Sequence, residues 1–223
     1  MPNTTDERPP RGLRGLATMM TRWLRTFPRM IVFLKIAKAI VKGRHNVPPT
    51  GAVLIACNHI SILDPIYLWG ALRRNGVAVA MAELWRIWIV SWVMRIMGHI
   101  PIQRKNPASA ARMIAACIRV LNHGGLIIIY PEGKCSETGE LLPLKDGVAQ
   151  IVYGAEVPVT VIQAYISGTN RVLPLKKWLP RLKHTVYLTF DTPLDPASFT
   201  THEEFLAALE ARFRAMAASH TSI

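Results

Sequence analysis

The sequence predicts an α/β fold, a mostly parallel central sheet flanked by helices, with a basic amphipathic helical hairpin ahead of it. Short apolar runs such as "AVLIAC", "LIIIY" and "VPVTVIQAYI" have the length and β-branched content of buried strands. Stretches with a helical repeat of apolar residues lie between them, and that alternation marks a layered fold whose crossovers are helices. No linker divides residues 45–223, which read as one α/β domain behind a first segment, 1–44, of tail and helices. A chain of 223 residues can bury an adequate core without metals or disulfides.

In chain order, residues 1 to about 10 read as a tail. Leu16, Met19, Met20, Trp23, Leu24 and Phe27 then recur at helical spacing, with Arg14, Arg22, Arg25 and Arg29 off the stripe. Pro28 breaks that run, and a second apolar helix is expected to about residue 42. A strand from Ala52 to Cys57 leads to a helix from near Leu63 to about Arg73, with Ser61 as its cap. "GVAVAMA" reads as a short strand, "AELWRIWIVSWVMRIMG" as one or two apolar helices, and "HIPIQR" as another strand. Asn106 and Pro107 cap and begin a helix with the stripe Met113, Cys117 and Leu121, ended by Gly124 and Gly125. "LIIIY" is a central strand, 146–155 a helix, "VPVTVIQAYI" and "HTVYLTFDTPL" two more strands. Thr200 and Glu203 have capping-box spacing for a last helix bearing Phe205, Leu209 and Phe213.

Lys and Arg number 27 against 14 acidic residues, a formal charge of +13. Such a molecule is drawn to anions: nucleic acid, an anionic bilayer, an acidic carrier protein or phosphorylated substrates. No nucleic-acid motif accompanies the charge. The N-terminal arginines sit instead beside Trp23 and Phe27, the composition of a helix lying in a lipid headgroup layer, so Arg22, Trp23, Arg25, Phe27 and Arg29 are its expected membrane contacts. A hairpin docked on the core explains the same pattern. The run from Met30 to Val41 is too short to span a bilayer and is broken by Lys35 and Lys38. No signal peptide is recognisable. Three widely spaced cysteines, Cys57, Cys117 and Cys135, suggest neither disulfides nor zinc, and a reducing cytosol is the default.

Three segments could carry chemistry. In "NHISILD", His59 and Asp64 would lie on different faces of a continuous helix, but a strand end turning into a helix can bring them together. Asp64 then orients one ring nitrogen of His59 and leaves the other as a base; alternatively Asp64 only starts the helix and His59 fills a turn. In "IIIYPEGKCSETGEL" a buried strand delivers Glu132, Gly133 and backbone N–H groups to the C-terminal edge of the sheet, where open α/β sheets bind ligands. "GHIPIQR" similarly ends in Arg104, whose fork suits a phosphate. A G-x-S-x-G elbow is absent, "NHGG" reads as a helix C-cap, and "EGKCS" lacks the first glycine and the hydroxyl of a P-loop.

Together, "NHISILD", "GHIPIQR", "YPEGKCS" and "VPVTVI" resemble, in order and spacing, the four signature blocks of the glycerolipid acyltransferases, particularly the lysophosphatidic acid acyltransferases. The likeness covers roughly residues 45–195. It implies that His59 is the base and Asp64 its orienter, and that Arg104, Glu132, Gly133, Lys134 and Ser136 bind the acceptor's glycerol phosphate. Backbone N–H groups near the Glu132-Gly133 turn would stabilise the oxyanion. The third block departs from the family at Lys134-Cys135, where Thr-Arg is usual, which opens the identity of the acceptor: another lyso-lipid, an amino-lipid or a glycolipid. The implied reaction moves a fatty acyl group from acyl-CoA or acyl carrier protein to the free hydroxyl of a lysophospholipid, with no metal and no resident cofactor. It is expected at the cytoplasmic face of the cell membrane. The non-catalytic alternative is a basic peripheral membrane protein.

Overall fold

The structure, a computed structural model, describes residues 38–174, 179, 181 and 184–221. The expected hairpin, with Arg22, Trp23, Arg25, Phe27 and Arg29, lies outside the described residues. Among the described residues seven strands form one sheet: β1 (Ala39–Lys42), β2 (Ala52–Cys57), β3 (Val77–Met81), β4 (Ile100–Ile102), β5 (Leu126–Ile129), β6 (Val159–Ser167) and β7 (Val186–Phe190). Their spatial order is β1-β7-β6-β2-β5-β3-β4. Strands β2 to β6 run parallel; β7 is antiparallel to β6, and β1 pairs parallel to β7.

The central strand β2 is buried at all six positions, as a strand covered on both faces must be. Its alternate residues divide between two cores. Leu54 and Ala56 face α3 (Pro107–Asn122), α4 (Gly147–Tyr153) and α6 (His202–Thr221), while Val53, Ile55 and Cys57 face α1 (Asp64–Ala71) and α5 (Thr169–Val172). Each fully buried Leu, Ile or Phe contributes about 1.5–3 kcal/mol, so both faces hold the sheet. Asn106 caps α3 by accepting the Ser109 N–H at 3.1 Å, as expected, and Pro107 opens the helix.

Three local expectations are corrected. Ala39–Lys42 forms strand β1 rather than the end of a helix, because β7 offers it an open ladder. The capping box of α6 sits one residue later: Thr201 Oγ1 accepts from the Glu204 N–H, and Glu204 Oε2 accepts from the Thr200 N–H. Ser61 does not cap α1, whose N-cap position is Leu63. Between β3 and β4 the chain forms a 3-10 turn, Ala82–Arg86, then α2, Trp88–Ile96, with Trp88 79% exposed and Trp92 also open to solvent. No helix among the described residues is long and apolar enough to cross a membrane.

Candidate active site

The site lies at the C-terminal edge of the parallel strands, beginning where β2 ends. Asn58 continues that strand with its side chain: Nδ2 donates to the Ile166 carbonyl at 2.9 Å and Oδ1 accepts the Ile166 N–H at 2.7 Å. The chain then turns, and His59 is clamped through its backbone. Its N–H donates to Glu132 Oε1 at 2.8 Å, and its carbonyl accepts the Ser136 N–H at 2.7 Å. The loop after β5 thus fixes the position from which the imidazole projects.

His59 and Asp64 meet as the motif implied, with Nδ1 and Oδ2 2.8 Å apart. Asp64 is fully buried at the start of α1, and Oδ2 also accepts the N–H groups of Ile60 at 2.7 Å and Ser61 at 2.8 Å. Oδ1 accepts the Thr169 hydroxyl at 2.5 Å. A buried carboxylate needs such donors to be tolerated. Thr169 reaches it because Gly168, at φ 88°, turns the chain at the end of β6; a Cβ there would stand 2.3 Å from the Thr185 carbonyl oxygen. The Tyr130 ring stacks on His59 with centroids 4.2 Å apart. Burial is the largest influence on the imidazole and lowers its pKa, but the hydrogen bonds and charges of Asp64 and Cys135 together raise it to about 9.

The other ring nitrogen is also engaged. Cys135 Sγ lies 3.0 Å from His59 Nε2, so a thiol, an imidazole and a carboxylate form one line. Sequence reasoning missed this contact, because Cys135 registered only as a departure within its block.

The remaining residues of the third block divide by role. Glu132 is buried with both oxygens occupied, Oε1 by the His59 N–H and Oε2 by the Leu142 N–H at 2.8 Å. Burial raises its carboxyl above the usual range, while those two bonds pull the other way. Through the first of these bonds it helps to position His59. Ser136 is buried too; its hydroxyl accepts the Gly139 N–H at 3.1 Å and shapes the loop. Gly133, at φ 70°, donates its N–H to the Tyr130 carbonyl at 2.9 Å, which removes it as an oxyanion donor. The N–H groups of Lys134 and Cys135, lying between Gly133 and Ser136 in sequence, bond to no described residue.

Two cations flank this turn. The Lys134 side chain is exposed. Lys145, which the sequence reading did not select, crosses Gly133 so closely that a Cβ there would stand 2.7 Å from its Nζ. Arg104 lies exposed in the turn after β4. Three strand spacings separate β4 from β2, about 14 Å across the sheet, so Arg104 shares the edge with His59 without touching it. No cluster of metal-binding side chains occurs among the described residues.

A family model described as Acyltransferase matches residues 38–166. The chain belongs to the acyltransferase family. Among curated relatives, the chloroplastic 1-acyl-sn-glycerol-3-phosphate acyltransferase BAT2 of Brassica napus is 29% identical over 138 residues, covering 61% of this chain and 39% of the relative. A 1-acyl-sn-glycerol-3-phosphate acyltransferase of Borreliella burgdorferi is 29% identical over 181 residues, 81% of this chain and 71% of the relative. The chain therefore spans well under half the length of the plant relative and most of the bacterial one. Its fold is similar to the crystal structure of the 1-acyl-sn-glycerophosphate (LPA) acyltransferase PlsC from Thermotoga maritima, with a TM-score of 0.76 and 24% identity over 92% of this chain and 82% of that one.

Proposed function

We propose that this acyltransferase moves a fatty acyl group from a thioester, on coenzyme A or acyl carrier protein, to the free hydroxyl of 1-acylglycerol-3-phosphate, giving phosphatidic acid. The observation that carries the reading is the His59–Asp64 pair, 2.8 Å apart and only 16% exposed at the ring, at the ligand-binding edge of the sheet. Asp64 holds Nδ1, so Nε2 takes the proton from the hydroxyl as its oxygen attacks the acyl carbonyl. The N–H groups of Lys134 and Cys135 are the donors open to the oxyanion. Lys145 and Lys134 supply positive charge for the acceptor's phosphate, and Arg104 extends it along the edge. A thioester is already activated, so the scheme requires neither a metal nor a resident cofactor.

The enzyme works at an anionic membrane surface, on the cytoplasmic face. The +13 charge and the exposed Trp88, Ile89 and Trp92 of α2 support this, together with Ile62, 62% exposed between His59 and Asp64 in sequence. The test is turnover of a labelled acyl thioester with 1-acylglycerol-3-phosphate beside a panel of lyso-lipid, amino-lipid and glycolipid acceptors. Phosphatidic acid should be the main product, and His59→Ala should remove it while circular dichroism stays unchanged. Wild-type rates in His59→Ala would reject the assigned base, and preference for another acceptor would reject the assigned substrate.

A further inference from the structure

We propose that Cys135 is a catalytic nucleophile, carrying the acyl group as an enzyme thioester before His59 delivers it to the acceptor. This role rests on the acyl-transfer reading above and adds a covalent stage to it. The geometry is that of a nucleophile, its base and the base's orienter: Sγ to Nε2 3.0 Å, Nδ1 to Asp64 Oδ2 2.8 Å. The sulfur is held there by the fold. The same loop that brings Cys135 to the ring also fixes the ring, through the His59 N–H to Glu132 and the Ser136 N–H to the His59 carbonyl.

Accessibility separates Cys135 from the other two cysteines. Cys57 and Cys117 are buried, and burial pushes the Cys117 thiol up to about 12; Cys135 is half-exposed beside the ring. Its contact also bears on the base. In the free enzyme the one ring nitrogen not held by Asp64 is already engaged by sulfur, so an acceptor hydroxyl has no open nitrogen to meet. Acylation of the sulfur removes its proton from the contact and opens Nε2 to the hydroxyl. The order of events follows: donor first, acceptor second.

The steps balance without an oxidant or reductant. With the proton of the Sγ–Nε2 contact on the ring, sulfur attacks the carbonyl carbon of the incoming thioester. The bond from that carbon to the donor's sulfur breaks, and the imidazolium returns the proton to the leaving thiolate. One thioester replaces another. The acceptor's hydroxyl then loses its proton to Nε2, its oxygen attacks the Cys135 thioester, the carbon–sulfur bond to Cys135 breaks, and the thiolate is reprotonated. In both stages the oxyanion would take the Lys134 and Cys135 N–H groups as its donors.

The test mixes the full chain with palmitoyl-CoA in the absence of acceptor and reads rapidly quenched protein by intact mass. Expected is one added palmitoyl group, released by neutral hydroxylamine and mapped to Cys135, with one coenzyme A freed per enzyme in a burst. Adding 1-acylglycerol-3-phosphate should discharge the adduct into phosphatidic acid, and initial rates should give the parallel lines of a ping-pong scheme. Cys135→Ala should show no adduct and at least about a 100-fold loss of turnover, and Cys135→Ser should trap a hydroxylamine-resistant ester. Phosphatidic acid made by the wild type with no adduct, and by Cys135→Ala within about twofold of the wild-type rate, would overturn the role of Cys135 while leaving acyl transfer intact. An adduct that discharges only to another acceptor would support Cys135 and reject the substrate. Absence of both adduct and product overturns both.

Discussion

Replacing Asp64 with asparagine keeps the side chain's shape and removes one negative charge from beside His59. The amide oxygen can still accept from Ile60, Ser61 and Nδ1, and the amide nitrogen meets Thr169, whose hydroxyl can turn to accept. The fold should therefore survive. The imidazole should not keep its proton as firmly, because burial alone lowers its pKa and Asp64 is a principal opposing influence. A neighbouring carboxylate is typically worth about 1–3 pH units, or roughly 1.4–4 kcal/mol between the two protonation states. From about 9 in the wild type, the pKa should fall to roughly 6–8 in Asp64→Asn.

Histidine NMR titration measures this directly, and stability provides a second reading. The folded value lies above the unfolded 6.5, so His59 stabilises the fold fully below about pH 6.5 and loses that contribution as pH rises through about 9. Wild-type unfolding free energy should thus fall by up to about 3 kcal/mol across that window from this group, and the Asp64→Asn curve should be flatter. Acyl transfer should drop by about 100 to 10,000-fold. A His59 pKa still near 9 in Asp64→Asn, with the folded structure intact, would refute the pairing as the cause.

Glu132→Gln replaces one of two charge-assisted acceptors with an amide nitrogen facing a backbone N–H. It should cost about 2–3 kcal/mol in urea unfolding and lower kcat more than it raises KM; an unchanged midpoint would deny the clamp. Lys145→Met keeps the stem of the side chain and removes its charge, so KM for the phosphate-bearing acceptor should rise about tenfold, while monoacylglycerol is used as before. Equal KM values would remove Lys145 from the phosphate subsite. Converting Trp88 and Trp92 to serine should weaken co-sedimentation with anionic vesicles severalfold. Unchanged sedimentation would take α2 out of the lipid interface.

The buried strands were legible because a strand covered on both faces must be a continuous apolar run, and β2 and β5 are such runs. Helix α3 announced both ends through Asn106, Pro107 and the paired glycines. Strand β1 was hidden, since "AIVK" follows a stretch of helical character and becomes a strand only by pairing with residues near 186, far along the chain. The reversal of β7 is equally a property of distant pairing. In the site, His59 and Asp64 could be read from five residues of spacing because the strand-to-helix turn is local. The clamping contacts of Glu132 could not be read, because only the folded loop reveals that both its oxygens accept backbone N–H groups. Cys135 and Lys145 were illegible for a related reason: one meets His59, 76 positions away, and the other folds back across Gly133.

The Asn58 amide, by acting as one more rung between β2 and β6, ties the turn that carries the His59 ring to the frame of the protein. Loosening that turn by itself would strand two polar groups of Ile166 in a dry interior. The imidazole therefore has no cheap local motion away from its place at the sheet edge.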